Sequence, residues 1–239
     1  MLDSSQEVTI VFVQKYIPGK LSTFFSRYKT ITYKKGETIL RSDDKPQGVY
    51  YVKTGFVKLN TIFENGREHT LNIFKAGTYF PMMWAIGRIP NSYFFHAQTE
   101  VIIYRAPKAS VLRFLKKNPD VLFELTRRIL IGLDGILQNI EFILCGDSYH
   151  RVLGALFLSA KRFGEQKKEG EITIKIPLTH QDIANIAGIS RETATLAIKR
   201  LRKKKIIIYK KRFIVIVSIK TIEKELSLDK KEGRVPIVA

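Results

Sequence analysis

The sequence predicts an α+β protein in which an antiparallel β domain, a long helix and a winged helix-turn-helix follow one another along 239 residues. Three observations support this. Short β-branched and aromatic runs separated by turn signals occupy residues 30–106. Apolar residues then recur at steps of three and four, and two short capped helices precede a basic hairpin. The apolar fraction of 45% is that of a globular chain.

The N-terminal domain is predicted to open with a helix around residues 18–28 and to continue as consecutive antiparallel hairpins. Its strands are rich in Val, Ile, Tyr and Phe, and Asn65-Gly66 is the strongest of its turn signals. Several short strands at this spacing form a sandwich or a barrel. The turn signals are Gly36, Gly48, Gly55, Asn65-Gly66 and Gly77.

The segment PDVLFELTRRILIGLDGILQNIEFIL predicts a helix roughly 25 residues long, because its apolar residues fall on one side. Two interpretations stay open. The helix pairs with its own copy across a two-fold axis, or it is an ordinary amphipathic helix of one core. The residues of the stripe are Leu122, Leu125, Ile129, Leu133, Ile136, Leu137 and Ile140.

Two short helices near the C-terminus are predicted from their caps. Thr179 can cap the first, with Asp182 three residues on in a variant of the capping box. Gly188 permits a sharp turn, and Ser190 can cap the second helix from Arg191 onward. This arrangement predicts a helix-turn-helix.

The second of these helices has two faces. Its inner face is apolar and small, and its outer face carries Arg191 and Glu192 in the first turn. Arg pairs bidentately with guanine, Glu accepts from cytosine, and a recognition helix meets bases with its N-terminal residues. The inner residues are Ala194, Ala197, Ile198 and Leu201, and the predicted base-reading residues are Arg191, Glu192, Thr195 and Leu196.

A cationic hairpin follows the second helix. Residues 199–212 contain nine Lys or Arg, and the strands IIIY and FIVIV would bring Lys210, Lys211 and Arg212 to the tip. Such a wing suits the phosphate backbone, which positions a protein without reading sequence. The alternative for the lysine run alone is a solvated surface.

The charge balance indicates a polyanionic partner. The chain carries 41 Lys and Arg against 22 Asp and Glu, and residues 148–239 hold 21 of the cations and nine of the acids. Double-stranded DNA is the favoured partner. The alternative is a regulatory module whose basic C-terminal domain binds RNA or anionic membrane without sequence preference.

Other classes of protein are disfavoured. No apolar run is long enough for a membrane span, and the N-terminus is a poor signal peptide. No nucleophile–base pair, metal-ligand spacing or Walker-type loop appears, which argues against an enzyme. With a single cysteine, the expected location is a reducing cytoplasm.

The stretch LTHQDIANIAGISRETATLAIKRLRKKKIII resembles the helix-turn-helix and wing of the cyclic-AMP receptor protein/FNR superfamily of bacterial transcription regulators. The SRET at residues 190–193 is its most characteristic element. In the first half, YKKGETIL, GVYYVKTGFVKL, ENGRE and FKAGTYF resemble that family's β-roll. The resemblance covers roughly residues 25–225. It implies a homodimer on a pseudo-palindromic DNA site and contact with RNA polymerase.

Arg191 and Glu192 match the family's base-reading pair, but many members carry a second arginine where this chain has Leu196. Leucine cannot donate to guanine, although it can pack on a thymine methyl. In the alternative interpretation Leu196 holds the helix against its own domain. The predicted phosphate contacts are Thr179, His180, Gln181, Ser190, Thr193, Lys199, Lys210, Lys211 and Arg212.

The resemblance also implies which anchors a cyclic nucleotide needs, a carboxylate on the sugar and an arginine on the phosphate. Here Pro81-Met82 stands where the family's Gly-Glu belongs, and Asn91 falls near the arginine position. Ser92 is retained, and Arg88 lies in a different part of the loop. Without these charge-assisted bonds, cyclic AMP sensing is disfavoured.

The sequence also bears on three other kinds of ligand: an iron–sulfur cluster, haem and an apolar small molecule. Cys145 alone cannot supply the four thiolates of an oxygen-labile iron–sulfur cluster, so that cofactor is excluded. Haem binding remains an alternative, with His69, His96, His150, Met82 and Met83 as candidate axial ligands by residue type. An aromatic and sulfur-rich segment either lines an apolar ligand pocket or is simply core. The candidate pocket residues are Tyr79, Phe80, Met82, Met83, Trp84, Asn91, Ser92 and Tyr93.

The predicted boundaries follow from these elements. Residues 1–112 form the N-terminal helix and β-roll sensor domain, and residues 113–146 the dimerisation helix. Residues 147–226 form the winged helix-turn-helix domain. Residues 227–239 are a tail beyond the resemblance, for which disorder is one interpretation.

Overall fold

The computed structural model describes residues 19–168 and 170–231, which divide into two compact units at residues 138 and 139. The residue at which the opening helix is predicted to begin, Pro18, and the last eight residues of the predicted tail lie outside the described residues.

The first unit is an antiparallel β domain flanked by helices, as predicted. Two four-stranded sheets have the orders β1-β8-β3-β6 and β2-β7-β4-β5. Its elements are α1 (Lys20–Phe25), β1 (Thr30–Tyr33), β2 (Thr38–Leu40), β3 (Val49–Thr54), β4 (Phe56–Ile62), β5 (Glu68–Lys75), β6 (Tyr79–Phe80), α2 (Met82–Ala85), β7 (Phe94–Ala97), β8 (Val101–Ala106), α3 (Lys108–Lys117) and the part of α4 (Pro119–Cys145) up to residue 138.

The turn predicted at Asn65-Gly66 joins β4 to β5, whose residues pair from Phe56 with Lys75 to Ile62 with Glu68. Gly66 has a φ of 75°, a conformation that glycine adopts without steric cost. The hairpin signal in the sequence is therefore confirmed.

Stacked aromatic rings fill the space between the two sheets. The centroids of Phe80 and Phe95 lie 4.6 Å apart, and the rings of Phe74 and Tyr50 each lie 5.4 Å from Phe80. Phe80 is only 1% exposed. This stack is the centre of the first hydrophobic core.

A second core lies on the other face of the sheet β1-β8-β3-β6, where the helices pack. It joins α1, α2, α3 and the start of α4 to the strands. Its buried members include Leu21, Phe25, Val49, Tyr51, Tyr79, Ala85, Ala106, Val111, Leu115 and Leu125.

The predicted long helix is α4, which is 27 residues long. Arg128 fixes its first half, because Nη1 donates to the carbonyl of Gly77 at 3.1 Å and Nε donates to Glu124 at 2.8 Å. Hydrogen bonds from Arg127 and Arg128 lower the pKa of Glu124 to about 2.

The second unit is a helix-turn-helix domain with a small sheet of order β11-β12-β10-β9. Gly154 lies where a Cβ would come within 2.4 Å of the Phe142 ring, so this glycine permits close packing of α5. The elements are α5 (Ser148–Phe163), β9 (Gly164–Lys168), β10 (Glu171–Ile174), α6 (His180–Ala187), α7 (Arg191–Lys203), β11 (Ile207–Lys210), β12 (Phe213–Ile216) and α8 (Ile219–Lys231).

Two elements differ from the sequence analysis. Strand β9 is built from the polar sequence GEQKK, which has no strand signal, and pairs with β10 across Gly170. Helix α8 runs to Lys231, so the predicted boundary at residue 226 falls inside it and residues 227–231 are helical. Ile222, which is fully buried, holds α8 in the domain.

Candidate nucleic-acid interface

The turn between α6 and α7 has the predicted caps. The hydroxyl of Thr179 accepts from the N–H of Asp182 at 3.1 Å, and the Asp182 carboxylate accepts from the N–H of Thr179 at 2.8 Å. Gly188 ends α6 in the left-handed region, and the hydroxyl of Ser190 accepts from the N–H of Thr193 at 3.1 Å. The capping box and the glycine turn are confirmed.

The inner face of α7 is buried as predicted. All four of its inner residues are less than 7% exposed, and they pack in the domain that contains α5 and α6. The two alanines among them let α7 approach α6 closely, which fixes the direction of the outer face. These residues are Ala194, Ala197, Ile198 and Leu201.

The outer face of α7 presents free polar groups. Arg191, Glu192 and Lys199 are exposed, and within the described part of the chain their side-chain charges form no hydrogen bond or ion pair. Leu196 is 67% exposed, so it does not hold α7 against its own domain. A fork donor, an acceptor, an apolar side chain and a cation therefore point away from the domain together.

The hydroxyl of Thr195 has two hydrogen-bonding partners. Its hydroxyl lies 2.8 Å from the carbonyl oxygen of Arg191 and 2.9 Å from Nδ1 of His180, the first residue of α6. This contact joins the two helices of the motif. Burial first, and then the charges of Arg191, Arg202 and Lys199, lower the pKa of His180.

The other predicted phosphate contacts on α6 and the turn lie at helix starts. Gln181 is exposed and donates to Asn185, while Thr193 is half-buried with its hydroxyl 2.9 Å from that of Ser190. The Thr179 hydroxyl donates to Asp182 at 2.6 Å. These groups lie at the first turns of α6 and α7, and helix N-termini favour anions.

The cationic run 199–212 divides into free and engaged charges. Lys210 binds Glu171 at 2.6 Å, so the strand rather than the hairpin tip holds its ammonium group. Lys211, with a φ of 57°, forms the two-residue tip with Arg212, whose guanidinium lies 5.3 Å from the Phe213 ring. Lys211 and Arg212 are both exposed.

A network that the sequence analysis missed holds the C-terminal end of α7. Tyr149 donates to Glu225 at 2.9 Å, and Lys204 donates to the same carboxylate at 2.8 Å. The guanidinium of Arg200 lies 4.2 Å from the Tyr149 ring centroid. No local pattern reveals this contact, because its members come from α5, α7 and α8.

The eight candidate ligand-pocket residues do not surround one cavity. Tyr79, Met82 and Trp84 belong to the core beneath the helices, whereas Phe80 and Tyr93 belong to the core between the sheets. Adjacent residues of β6 point to opposite faces, which separates Tyr79 from Phe80. The remaining three are Met83 and Ser92, which are exposed, and Asn91.

Asn91 has a structural role. It is 7% exposed, and its amide nitrogen donates to the carbonyls of Arg41 at 2.7 Å and Tyr93 at 2.9 Å. The side chain near the family's arginine position therefore holds two backbone segments together.

The candidate haem ligands are dispersed. His96 bonds Asn60 at 2.9 Å, with its pKa lowered by burial and then by Lys58, and His150 lies 2.8 Å from Asp147. Among the residues that the structure describes, no group of three or more His, Cys, Asp or Glu is placed to hold a metal ion. No helix of the described ranges is long and apolar enough to cross a membrane.

Helix α4 carries an exposed apolar face. Six residues that lie within about a quarter of a turn of one another by helical spacing are 39% to 77% exposed. Leu125 of the predicted stripe is buried at 4% instead, facing the second core. The exposed face consists of Leu122, Ile129, Leu133, Leu137, Ile140 and Leu144.

This architecture matches two known domain families. Residues 30–118 match the cyclic nucleotide-binding domain family, and residues 150–225 match the Crp-like helix-turn-helix domain family. A global nitrogen regulator from Nostoc sp. is 34% identical over 191 residues, which cover 77% of this chain and 83% of that protein.

Solved structures share the fold. A CooA variant from Carboxydothermus hydrogenoformans superposes with a TM-score of 0.71 at 18% identity, covering 87% of this chain and 92% of that one. A CRP/FNR-family transcriptional regulator from Thermus thermophilus gives a TM-score of 0.65 at 24% identity, with coverages of 83% and 98%. The chain belongs to the CRP/FNR superfamily of transcription regulators, which act through a helix-turn-helix DNA-binding domain and are not enzymes.

Proposed function

We propose that this regulator acts as a homodimer on a pseudo-palindromic DNA site, which it reads through Arg191 and Glu192. The observation that carries the proposal is the outer face of α7, where both side chains are exposed at the start of a capped helix and have no partner among the described residues. Leaving a fork donor and a carboxylate unpaired has no structural benefit, whereas both match base edges in the major groove.

The exposed apolar face of α4 supports the dimer. Six large apolar side chains in one continuous row on a helix are unfavourable in water, and a second copy would cover them symmetrically. Two α7 helices related by a two-fold axis would then face two half-sites, as two-fold operators require.

The phosphate backbone would be held by groups around the two helix N-termini and the wing. Lys199, Lys211 and Arg212 are exposed and supply the cations, while Lys210 contributes less because Glu171 neutralises it. Such contacts give affinity that falls steeply with salt and does not distinguish sequences.

The sensor domain would respond to something other than cyclic AMP. Pro81 and Met82 offer no carboxylate, Asn91 is engaged by backbone carbonyls, and aromatic rings fill the space between the sheets. A saturating cyclic AMP titration should leave the dissociation constant for operator DNA unchanged. A marked tightening would contradict this part of the proposal.

We also propose that the dimer works in the cytoplasm and recruits RNA polymerase.

The test is selection of bound duplexes from a random pool, followed by affinity measurements. Arg191→Ala should relax preference at one base pair of each half-site, losing about 1–3 kcal/mol of discrimination. Lys199→Ala should weaken all duplexes alike and reduce the salt slope by about one for each chain of the dimer. Equal losses for both variants on selected and random DNA would favour a non-specific binder of nucleic acid or anionic membrane.

A further inference from the structure

The contact between His180 and Thr195 favours one tautomer of the histidine. The Thr195 hydroxyl donates to the Arg191 carbonyl at 2.8 Å, which uses its single hydrogen. Nδ1 of His180 lies 2.9 Å from the same hydroxyl, so the tautomer that keeps both hydrogen bonds carries its proton on Nδ1 and donates to the hydroxyl oxygen. In that tautomer of neutral His180, Nε2 carries a lone pair.

The surroundings of the ring oppose a second proton. Arg191, Lys199 and Arg202 of α7 are the charged groups that act on it, and all three are cations. On α6, Asp182 is engaged by Thr179, and α5, which also packs on α6, places no charge among those that act on the ring. Within the described residues no group bonds Nε2, and His180 is only partly buried.

We propose that His180 couples duplex binding to the uptake of one proton per chain, which binds at Nε2 and converts the ring into a phosphate donor. This inference rests on the proposed function, in which the start of α6 meets the DNA backbone. A lone pair at Nε2 repels a phosphate oxygen, whereas N–H⁺ donates a charge-assisted hydrogen bond. The proton comes from solvent, and no other bond changes.

The sign of the pH dependence follows. In the free protein, burial and three cations hold the pKa of His180 below its ordinary value. The negative charge of the duplex offsets the field of those cations, and a phosphate at Nε2 favours the imidazolium, so the pKa of His180 is higher in the complex. Affinity is therefore highest below the pKa of the free protein and falls as pH rises through the pKa of the complex. Between the two values it changes about tenfold per pH unit for each engaged chain.

The test measures the dissociation constant for a mixed-sequence duplex at constant ionic strength from about pH 5.5 to about pH 8.5, which brackets the ordinary histidine pKa. Wild-type affinity should fall by about tenfold or more over this range. His180→Arg should bind tightly with no such fall, because its charge is permanent. His180→Gln should bind uniformly at the weak, high-pH level. His150→Gln, a histidine beside Asp147, is the matched control and should retain the wild-type profile.

A second readout separates the possible failures. Calorimetry in buffers of different ionisation enthalpy should show proton uptake for the wild type near neutral pH and none for His180→Gln. Binding without pH dependence, or a slope that survives in folded His180→Gln, would overturn the proton coupling while leaving DNA binding intact. Failure of the wild type to bind any duplex at any pH would instead refute the proposed function.

Discussion

The space between the sheets of the β domain and the outer face of α7 differ in whether their side chains have partners within the chain. Between the sheets, four aromatic rings stack on one another and fill the space. On the outer face of α7, Arg191, Glu192 and Lys199 are exposed, and no described residue pairs with their charged groups. Residue type alone therefore does not identify a binding site. A better guide is whether the side chain already has partners within its own chain.

Phe80→Ala gives the most direct test of the filled space. Removing a ring from a stacked and fully buried position should reduce the free energy of unfolding by about 3–5 kcal/mol, measured by denaturant titration. The variant that remains folded should keep the wild-type base preference. A small loss of stability would mean that the space is a loosely filled ligand pocket after all.

The double variant Leu133→Asp/Leu137→Asp tests whether the exposed apolar face of α4 is a dimer interface. Buried, unpaired carboxylates cost at least about 3 kcal/mol, so sedimentation should show monomers, with DNA affinity reduced accordingly. Ile131→Asp is the matched control, because Ile131 is 40% exposed but lies on the opposite side of α4. Dimers in the double variant would contradict the assignment.

Leu196→Arg tests whether residue 196 on the outer face of α7 meets a base pair. An arginine at this exposed position can reach guanine, so selection should return a new guanine preference in each half-site worth about 1–3 kcal/mol. Leu196→Ala provides the comparison, since it should weaken only a preference for thymine at the same step. An unchanged selected site in both variants would mean that Leu196 touches no base.

Tyr149→Phe should have the smallest effect. It removes the hydrogen bond to Glu225 but keeps the ring under Arg200, so the unfolding free energy should fall by about 1 kcal/mol. Base preference should stay the same, because the network holds the end of α7 farthest from Arg191. A changed preference would show that the network sets the angle of the helix.

The elements that depend on neighbouring residues could be predicted from the sequence. The caps at Thr179 and Ser190, the turn at Gly188 and the Asn65-Gly66 hairpin depend on neighbouring residues, and all four are present. The buried and exposed faces of α7 followed from helical spacing alone.

The elements and contacts that form where distant segments meet could not be predicted from the sequence. Strand β9 forms only because β10 is available as a partner, and α8 is held by burial of Ile222. The engagement of Lys210 by Glu171 and of Lys204 by Glu225 joins residues far apart in the chain. The division of the candidate pocket between two cores likewise depends on which face of β6 each side chain occupies.

The two bonds from Asn91 to the carbonyls of Arg41 and Tyr93 make its amide a brace between two backbone segments. A longer side chain at this position, such as the arginine of Asn91→Arg, would displace the amide from both carbonyls in a place that is almost fully buried. Buried carbonyls that lose their donors cost stability. The loop is therefore expected to loosen before it gains a group for an anion, so one substitution at residue 91 does not by itself supply a phosphate anchor.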